Sequence, residues 1–140
     1  MNNSFVADSS VGVAWAAPAQ ASEGTDELLR DVASGRPFVV PALWAIEVAN
    51  ALIILLRRRR MDTSNCQHAR HIIGRLRPVL DDEGPQLTLS KTWDLAEQYG
   101  LSVYDATYLE LALRKGYALA SRDGALNKAA RRSGVKTLLD

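Results

Sequence analysis

The chain has 140 residues, 47% of them hydrophobic, which is enough apolar material for one core but not for two domains of ordinary size. Its single cysteine, Cys66, excludes an internal disulfide and a thiolate zinc site, and it fits a reducing setting. No Lys or Arg precedes Arg30, and the longest strongly apolar uncharged stretch, Val48–Leu56, is far shorter than the ~20 residues of a membrane span. We therefore expect one cytoplasmic domain over residues 1–140, without an export signal or a membrane segment.

The formal net charge is +1, but the charges are unevenly spread along the chain. Residues 57–77 hold seven Arg against one acid, and residues 114–136 hold seven Lys or Arg against one acid, so each block has a net charge of +6. The segments 1–56 and 78–113 are acidic. This distribution favours a basic surface around an acidic centre, which suits the binding of a nucleic acid. The alternative is a set of ordinary solvated helix faces.

The first half of the chain alternates between short apolar runs and segments with helical spacing. Phe5–Ala7 is predicted to be a buried strand, and Asp8 follows it directly. A helix is expected through Val11–Ala17, another over Ser22–Ala33, a second strand at Pro37–Pro41, and a long helix from Ala42 to Arg60. The alternation indicates successive strand–helix units.

The second half continues this pattern with more polar helices. A helix is predicted from about Thr63 to Arg77, because Pro78 stops it, and the acidic loop Asp81–Pro85 follows and is taken as solvated. The remaining predicted elements are a third strand at Gln86–Leu89, a helix capped by Ser90 and ending at Tyr99, a helix over Val103–Lys115, a fourth strand at Tyr117–Ala120, a helix over Gly124–Arg132, and a fifth strand at Val135–Leu138 if that segment joins the sheet.

Short apolar strands separated by helices predict an α/β fold of three layers, α/β/α, with a mostly parallel sheet of four or five strands. Ligands of such sheets bind at the carboxyl ends of the strands, near the point where the strand order reverses. Asp8 and Asp123 both come just after a predicted strand. If these two strands are neighbours, the two carboxylates face each other.

Four acids stand out by position: Asp8, Glu47, Asp105 and Asp123. Glu47 shares a helix face with Leu43, Trp44, Ala51 and Ile54, so its carboxylate lies on an apolar face, where it needs a proton, a base or a cation.

The other three acids have a simpler alternative, since Asp8 and Asp105 are also suitable helix caps and Asp123 a suitable turn residue. Four clustered carboxylates repel each other, which favours a site for Mg²⁺ or Mn²⁺. The side chains expected to support these acids are Ser10, Asn50 and Ser121.

Four segments carry a resemblance to a known family. They are Phe5–Ser10, Ile46–Leu52, Tyr104–Leu109 and Ala120–Asp123, and in order and spacing they resemble the signature of the PIN domain across nearly the whole chain. The likeness is greatest to the VapC-type toxins of bacterial toxin–antitoxin pairs. The resemblance implies that Asp8, Glu47, Asp105 and Asp123 bind the metal and support catalysis. It also implies a homodimer, an inhibitory antitoxin, an RNA substrate, and products with a 5′-phosphate and a 3′-hydroxyl.

The chemistry that fits this resemblance is hydrolysis of an RNA phosphodiester by water that the metal activates. Asp8 and Asp105 are the preferred direct ligands, with Glu47 and Asp123 as further ligands or proton acceptors. Basic residues would then hold the RNA backbone or contact a protein partner. The candidates are the block Arg57–Arg60, within which Arg57 and Arg58 are the first choices, and Arg114, Lys115, Arg122 and Lys128.

One alternative stays open, a PIN-like module that binds RNA or protein without cutting. A phosphatase or phospho-receiver fits less well, because Ser10 occupies the position of the second Asp of a phosphatase and Thr88–Ser90 offers no Asp to phosphorylate. A zinc site at Cys66, His68 and His71 is disfavoured, because the chain has no other His or Cys to complete it.

Overall fold

The computed structural model describes residues 3–139. Four short strands form one sheet in which every pair is parallel, in the order β3-β2-β1-β4. The predicted α/β class with a short parallel sheet is confirmed. The strands are β1 (Phe5–Ala7), β2 (Phe38–Pro41), β3 (Val79–Asp81) and β4 (Ala118–Ala120).

Helices flank this sheet in two groups. Helices α1 to α4 contact one another, α5 and α7 both pack against α6, and α6 also lies against β1, β2 and β4. No helix within residues 3–139 is both long and apolar enough to cross a bilayer. The helices are α1 (Ser9–Ala16), α2 (Glu23–Ala33), α3 (Leu43–Arg57), α4 (Thr63–Arg75), α5 (Trp93–Tyr99), α6 (Val103–Lys115) and α7 (Gly124–Arg132).

The strand order places the reversal point between β1 and β4. The chain runs outward from β1 through β2 to β3 and then returns to the other side of β1, where Val6 pairs with Leu119. The backbone pairing continues past β1, because the Asp8 N–H donates to the Ala120 carbonyl at 3.0 Å. The residues that follow β1 and β4 therefore meet at the carboxyl end of the sheet, as predicted for neighbouring strands.

The third strand was predicted in the wrong place. Gln86–Leu89 is not a strand but belongs to a 3-10 turn over Gly84–Leu87 and a π-helical turn over Thr88–Thr92. The strand is Val79–Asp81, just upstream. Asp81 ends it, because its carboxylate accepts the Gly84 N–H at 2.9 Å and turns the chain into the helical segment.

Other differences are at element ends. Helix α1 begins at Ser9, two residues earlier than predicted, and α3 ends at Arg57, because Arg59 adopts a left-handed conformation with φ 56°. Ser90 does not cap α5 but donates to the Leu87 carbonyl within the π-helical turn. The expected fifth strand is reduced to one isolated parallel bridge between Leu119 and Thr137.

A close contact between α1 and α3 depends on Gly12. A methyl group at this position would lie 2.7 Å from Trp44 Cζ2 and 2.8 Å from Val48 Cγ2, which is too close for an unstrained contact. The same tryptophan donates its Nε1–H to the Asp8 carbonyl at 3.0 Å. The small residue on α1 thus lets Trp44 support the backbone at the end of β1.

We predict opposite effects for two glycine-to-alanine substitutions. Gly12→Ala should lower the free energy of unfolding by about 1–3 kcal/mol, because the methyl group overpacks a buried contact. Gly74→Ala, in α4 with open space around the added methyl group, should raise it by about 0.5–1 kcal/mol through helix propensity. Urea unfolding of both variants measures these changes. A stable Gly12→Ala would show that the two helices can move apart freely.

Candidate active site

The four singled-out acids come from four different elements around the carboxyl end of the sheet. Asp8 follows β1 and is the N-cap of α1, Asp123 is the N-cap of α7, Asp105 lies in the first turn of α6, and Glu47 lies on α3. The capping alternative therefore holds for Asp8 and Asp123. Each uses only its Oδ1 for the cap, accepting from the Val11 N–H and the Leu126 N–H respectively. Asp105 is not a cap, since Ser102 has that position.

Asp8 is the most enclosed of these acids, with only 4% of its surface exposed. Its Oδ1 accepts the Ser10 hydroxyl at 2.6 Å, and its Oδ2 accepts the Ser121 hydroxyl. Burial raises the pKa of Asp8, and the hydrogen bonds from Ser10 and Ser121 offset part of that rise. The carboxylate is thus held in one orientation by two hydroxyl groups.

Ser10 and Ser121 also join the ends of β1 and β4 to each other. The Ser121 Oγ accepts the Asp123 N–H at 2.9 Å while donating to Asp8, and the Ser10 Oγ accepts the Arg122 N–H at 2.9 Å. Asn127 fixes the same turn, because its Nδ2 donates to the Ser121 carbonyl at 2.8 Å. Both predicted serines therefore lie beside the acids.

Glu47 is half-buried and is held by a residue that the sequence analysis missed. The hydroxyl of Tyr108, a buried residue of α6, donates to Glu47 Oε1 at 2.6 Å. Asn50, which was expected to orient Glu47, is exposed, and within residues 3–139 no hydrogen bond joins the two side chains. Burial and the bond to Glu47 keep the pKa of Tyr108 well above its usual value, so the phenol remains a donor.

Electrostatic coupling puts Asp105 at the centre of the four acids. Burial raises the pKa of Asp105, and the charges of Asp123 and Asp8 raise it further. For Glu47, burial raises the pKa, the bond from Tyr108 lowers it in part, and the charge of Asp105 raises it again. Asp105 thus interacts with all three other carboxylates, and these four residues are called the acidic quartet below.

The acidic quartet lacks compensating positive charge. None of the salt bridges formed within residues 3–139 includes one of its members. Four carboxylates that repel each other and have no base beside them are a donor set that suits a hard divalent cation such as Mg²⁺ or Mn²⁺. The residues present therefore fit a metal site, although the quartet is spread more widely than a tight ligand cage.

A second group of acids is closer together but is neutralised. In the described part of the chain, the one set of three acidic, His or Cys side chains whose ligand atoms all lie within 4.8 Å is Asp81, Asp82 and Glu83. Asp81 is buried rather than solvated, contrary to the expectation for this loop, and Arg114 binds it bidentately at 2.7 and 3.0 Å. Lys115 pairs with Glu83 at 3.4 Å.

Arg114 joins this loop to α6. Besides Asp81, its guanidinium binds the buried carboxylate of Glu110 at 2.8 and 3.1 Å. Burial acts to raise the pKa of Asp81, but the hydrogen bonds and charge of Arg114 outweigh it and leave that pKa below its usual value. Arg114, which was a candidate to hold RNA, has its donors committed to the protein.

The other candidate RNA-binding residues are exposed. Arg57, Arg58 and Lys128 have no ion pair within residues 3–139. Arg122 lies beside the acidic quartet, where its Nη1 donates to the Gln20 carbonyl. The structure therefore leaves these four side chains at the surface.

Comparison with solved structures supports the fold. The structure of PAE2754 from Pyrobaculum aerophilum matches with a TM-score of 0.70 at 22% identity, over 99% of this chain and 85% of that chain. FitAcB from Neisseria gonorrhoeae matches with a TM-score of 0.62 at 16% identity, over 95% of each chain. VapBC2 from Rickettsia felis, bound to a DNA fragment from their promoter, matches with a TM-score of 0.66 at 12% identity, over 97% of this chain and 98% of that chain.

At these identities the likeness shows the PIN-like fold alone. No family model matches the sequence, and no curated protein matches it.

The raised pKa of Asp105 predicts how stability depends on pH. Because the folded protein binds this proton more tightly than the unfolded chain, folding loses stability as the pH rises above the ordinary value of 3.8. Asp105→Asn should therefore raise the Tm at pH 7 in EDTA by about 2–4 °C, and the gain should vanish below pH 3.8. Thermal unfolding followed by circular dichroism measures it. A lower Tm at pH 7 would contradict the proposed repulsion.

A second prediction concerns Arg114. Arg114→Leu should lower the free energy of unfolding by about 3–5 kcal/mol, because it leaves the buried carboxylates of Asp81 and Glu110 unpaired. Lys115→Leu, next along the chain and paired only with the exposed Glu83, should cost less than about 1 kcal/mol. Equal losses in urea unfolding would show that the buried pairs add nothing beyond a surface ion pair.

Proposed function

We propose that this chain, as a single PIN-like domain over residues 1–140, is a metal-dependent endoribonuclease and the toxin of a toxin–antitoxin pair. The observation that carries the proposal is the acidic quartet, in which Asp105 interacts electrostatically with Asp8, Glu47 and Asp123 and no base compensates them. Carboxylates gathered at the carboxyl end of a parallel sheet suit a metal used to cut a phosphodiester.

Asp8 and Asp105 would hold the cation, with Glu47 and Asp123 completing its surroundings. A bound Mg²⁺ or Mn²⁺ supplies charge neutralisation at the phosphate and acidifies an attacking water. The hydroxyls of Ser10 and Ser121 fix the Asp8 carboxylate before any ligand arrives, which reduces the reorganisation that binding requires.

Glu47 is the best placed proton acceptor. Burial raises its pKa toward the range in which a carboxylate accepts a proton efficiently. Tyr108 binds Oε1 alone, so Oε2 is the oxygen left to receive a proton from the attacking water. The exposed Arg57, Arg58, Arg122 and Lys128 would hold the RNA backbone by charge.

The toxin assignment has separate support. The solved structures with the same fold include proteins named VapBC2 and FitAcB, and the sequence resembles VapC-type toxins over its four motifs. We therefore propose a cognate antitoxin as protein partner, a homodimer as the assembly, and the cytoplasm as the location.

The direct test is cleavage of a mixed transfer and ribosomal RNA pool by purified, antitoxin-free protein. We expect cuts with Mg²⁺ or Mn²⁺ and none with EDTA. Asp8→Asn and Asp105→Asn should each reduce the rate by about 100-fold or more, as expected when groups that act at the reacting phosphate are neutralised.

Asp82→Asn is the matched control, because Asp82 is an exposed acid of the tighter, neutralised group. It should cut at the wild-type rate. If Asp82→Asn abolishes cleavage and Asp105→Asn does not, the metal lies at the wrong acidic group in this proposal. RNA that is bound but never cut, with any of these metals, would favour the non-catalytic PIN-like module.

A further inference from the structure

An open cavity of about 520 Å³ lies beside the acidic quartet. It is called the side cavity here and is lined by Ser9 and Ser10 at the start of α1, by Val13, by Ala51, Ile54 and Leu55 of α3, and by Gln20 and Arg122. One wall is therefore apolar, and the opposite edge is polar and positively charged.

The side cavity begins where the Asp8 carboxylate ends. Ser10, one of its lining residues, donates to Asp8 Oδ1 at 2.6 Å and accepts the Arg122 N–H at 2.9 Å. The Arg122 guanidinium is itself held by the Gln20 carbonyl, so it is placed before a ligand enters. A phosphate next to Asp8 would thus have its attached nucleoside within reach of this cavity.

We infer that the side cavity receives an unpaired nucleobase of the RNA next to the cut phosphodiester, so that the enzyme selects single-stranded positions. This inference rests on the proposed function. A base has flat apolar faces, which suit Val13 and Ile54, and a hydrogen-bonding edge, which suits the Gln20 amide and Arg122. A phosphate alone would gain nothing from the aliphatic wall, and a base within a duplex cannot leave its stack without cost.

The opposing walls also explain why an arginine is useful here. A guanidinium stacks on a base as well as pairing with a phosphate, whereas an ammonium does only the latter. Arg122 is the one basic residue among those that line the side cavity. It is therefore the residue that we expect to contact both the base and its phosphate.

The test compares binding of four probes with Ca²⁺ present in place of Mg²⁺, by fluorescence anisotropy. The probes are short labelled poly(A) and poly(U) strands, an abasic ribose–phosphate strand of equal length, and a poly(A)·poly(U) duplex. We expect the wild type to bind the base-containing strands roughly tenfold or more tightly than the abasic strand, in line with base stacking. The duplex should bind no better than the abasic strand.

Two variants locate this preference. Ala51→Phe fills the side cavity and should abolish the preference for bases, while Ala49→Phe adds the same ring about 200° around α3 and should keep it. Ile54→Ala, at a residue already 37% exposed, trims the wall and should reduce the preference if the larger side chain disturbs folding.

The outcomes separate this inference from the proposed function. A wild type that cuts RNA but binds abasic and base-containing strands equally overturns the inference and leaves the nuclease intact. So does a preference that survives in Ala51→Phe, which would assign the side cavity to another occupant such as a protein segment. A preference lost only in Ala51→Phe and Ile54→Ala, in a protein that never cuts RNA, would support the inference and contradict the nuclease.

Discussion

Repulsion among acids without a neighbouring base is the constraint on which the carboxyl end of this sheet depends. Asp105 interacts with Asp8, Glu47 and Asp123, and burial makes the interaction stronger because water screens it less. The fold tolerates this cost by means of neutral donors. Hydroxyl groups of Ser and Tyr bind the carboxylates without supplying positive charge, so the group remains anionic and keeps its attraction for a cation. An arginine at any of these positions would have removed both the repulsion and that attraction.

The contrast with Asp81 makes the point within the same molecule. There, Arg114 binds two buried carboxylates, Asp81 and Glu110, and the result is a structural joint between the end of β3 and α6. Both acidic groups follow a strand of the same sheet, and both include a buried aspartate. What distinguishes them is the partner of the aspartate, a guanidinium in one case and hydroxyl groups in the other.

Local sequence patterns were enough to predict β1, β2, β4 and both ends of α6, because apolar runs, Ser or Asp caps and terminal glycines act within a few residues. They failed where a side chain acts over a distance. Val79–Leu80 is too short and too exposed to show a strand pattern, and Asp81, which ends it, is buried only because Arg114 lies 33 residues later. The bond from Tyr108 to Glu47 joins residues 61 apart and leaves no trace in helical spacing. The serines next to the predicted aspartates were found because proximity in sequence carried that information.

The hydroxyl bridge between the two ends of the chain also bears on when the acidic quartet comes into existence. Asp8 is made early in synthesis, whereas Ser121 follows 113 residues later and Asp123 later still. A nascent chain that lacks the segment after β4 has Asp8 without its Oδ2 donor and without one of the four acids. The quartet is therefore complete only when almost the whole domain has left the ribosome and β4 has paired with β1, so a ribosome-bound fragment carries an unfinished metal site for most of translation.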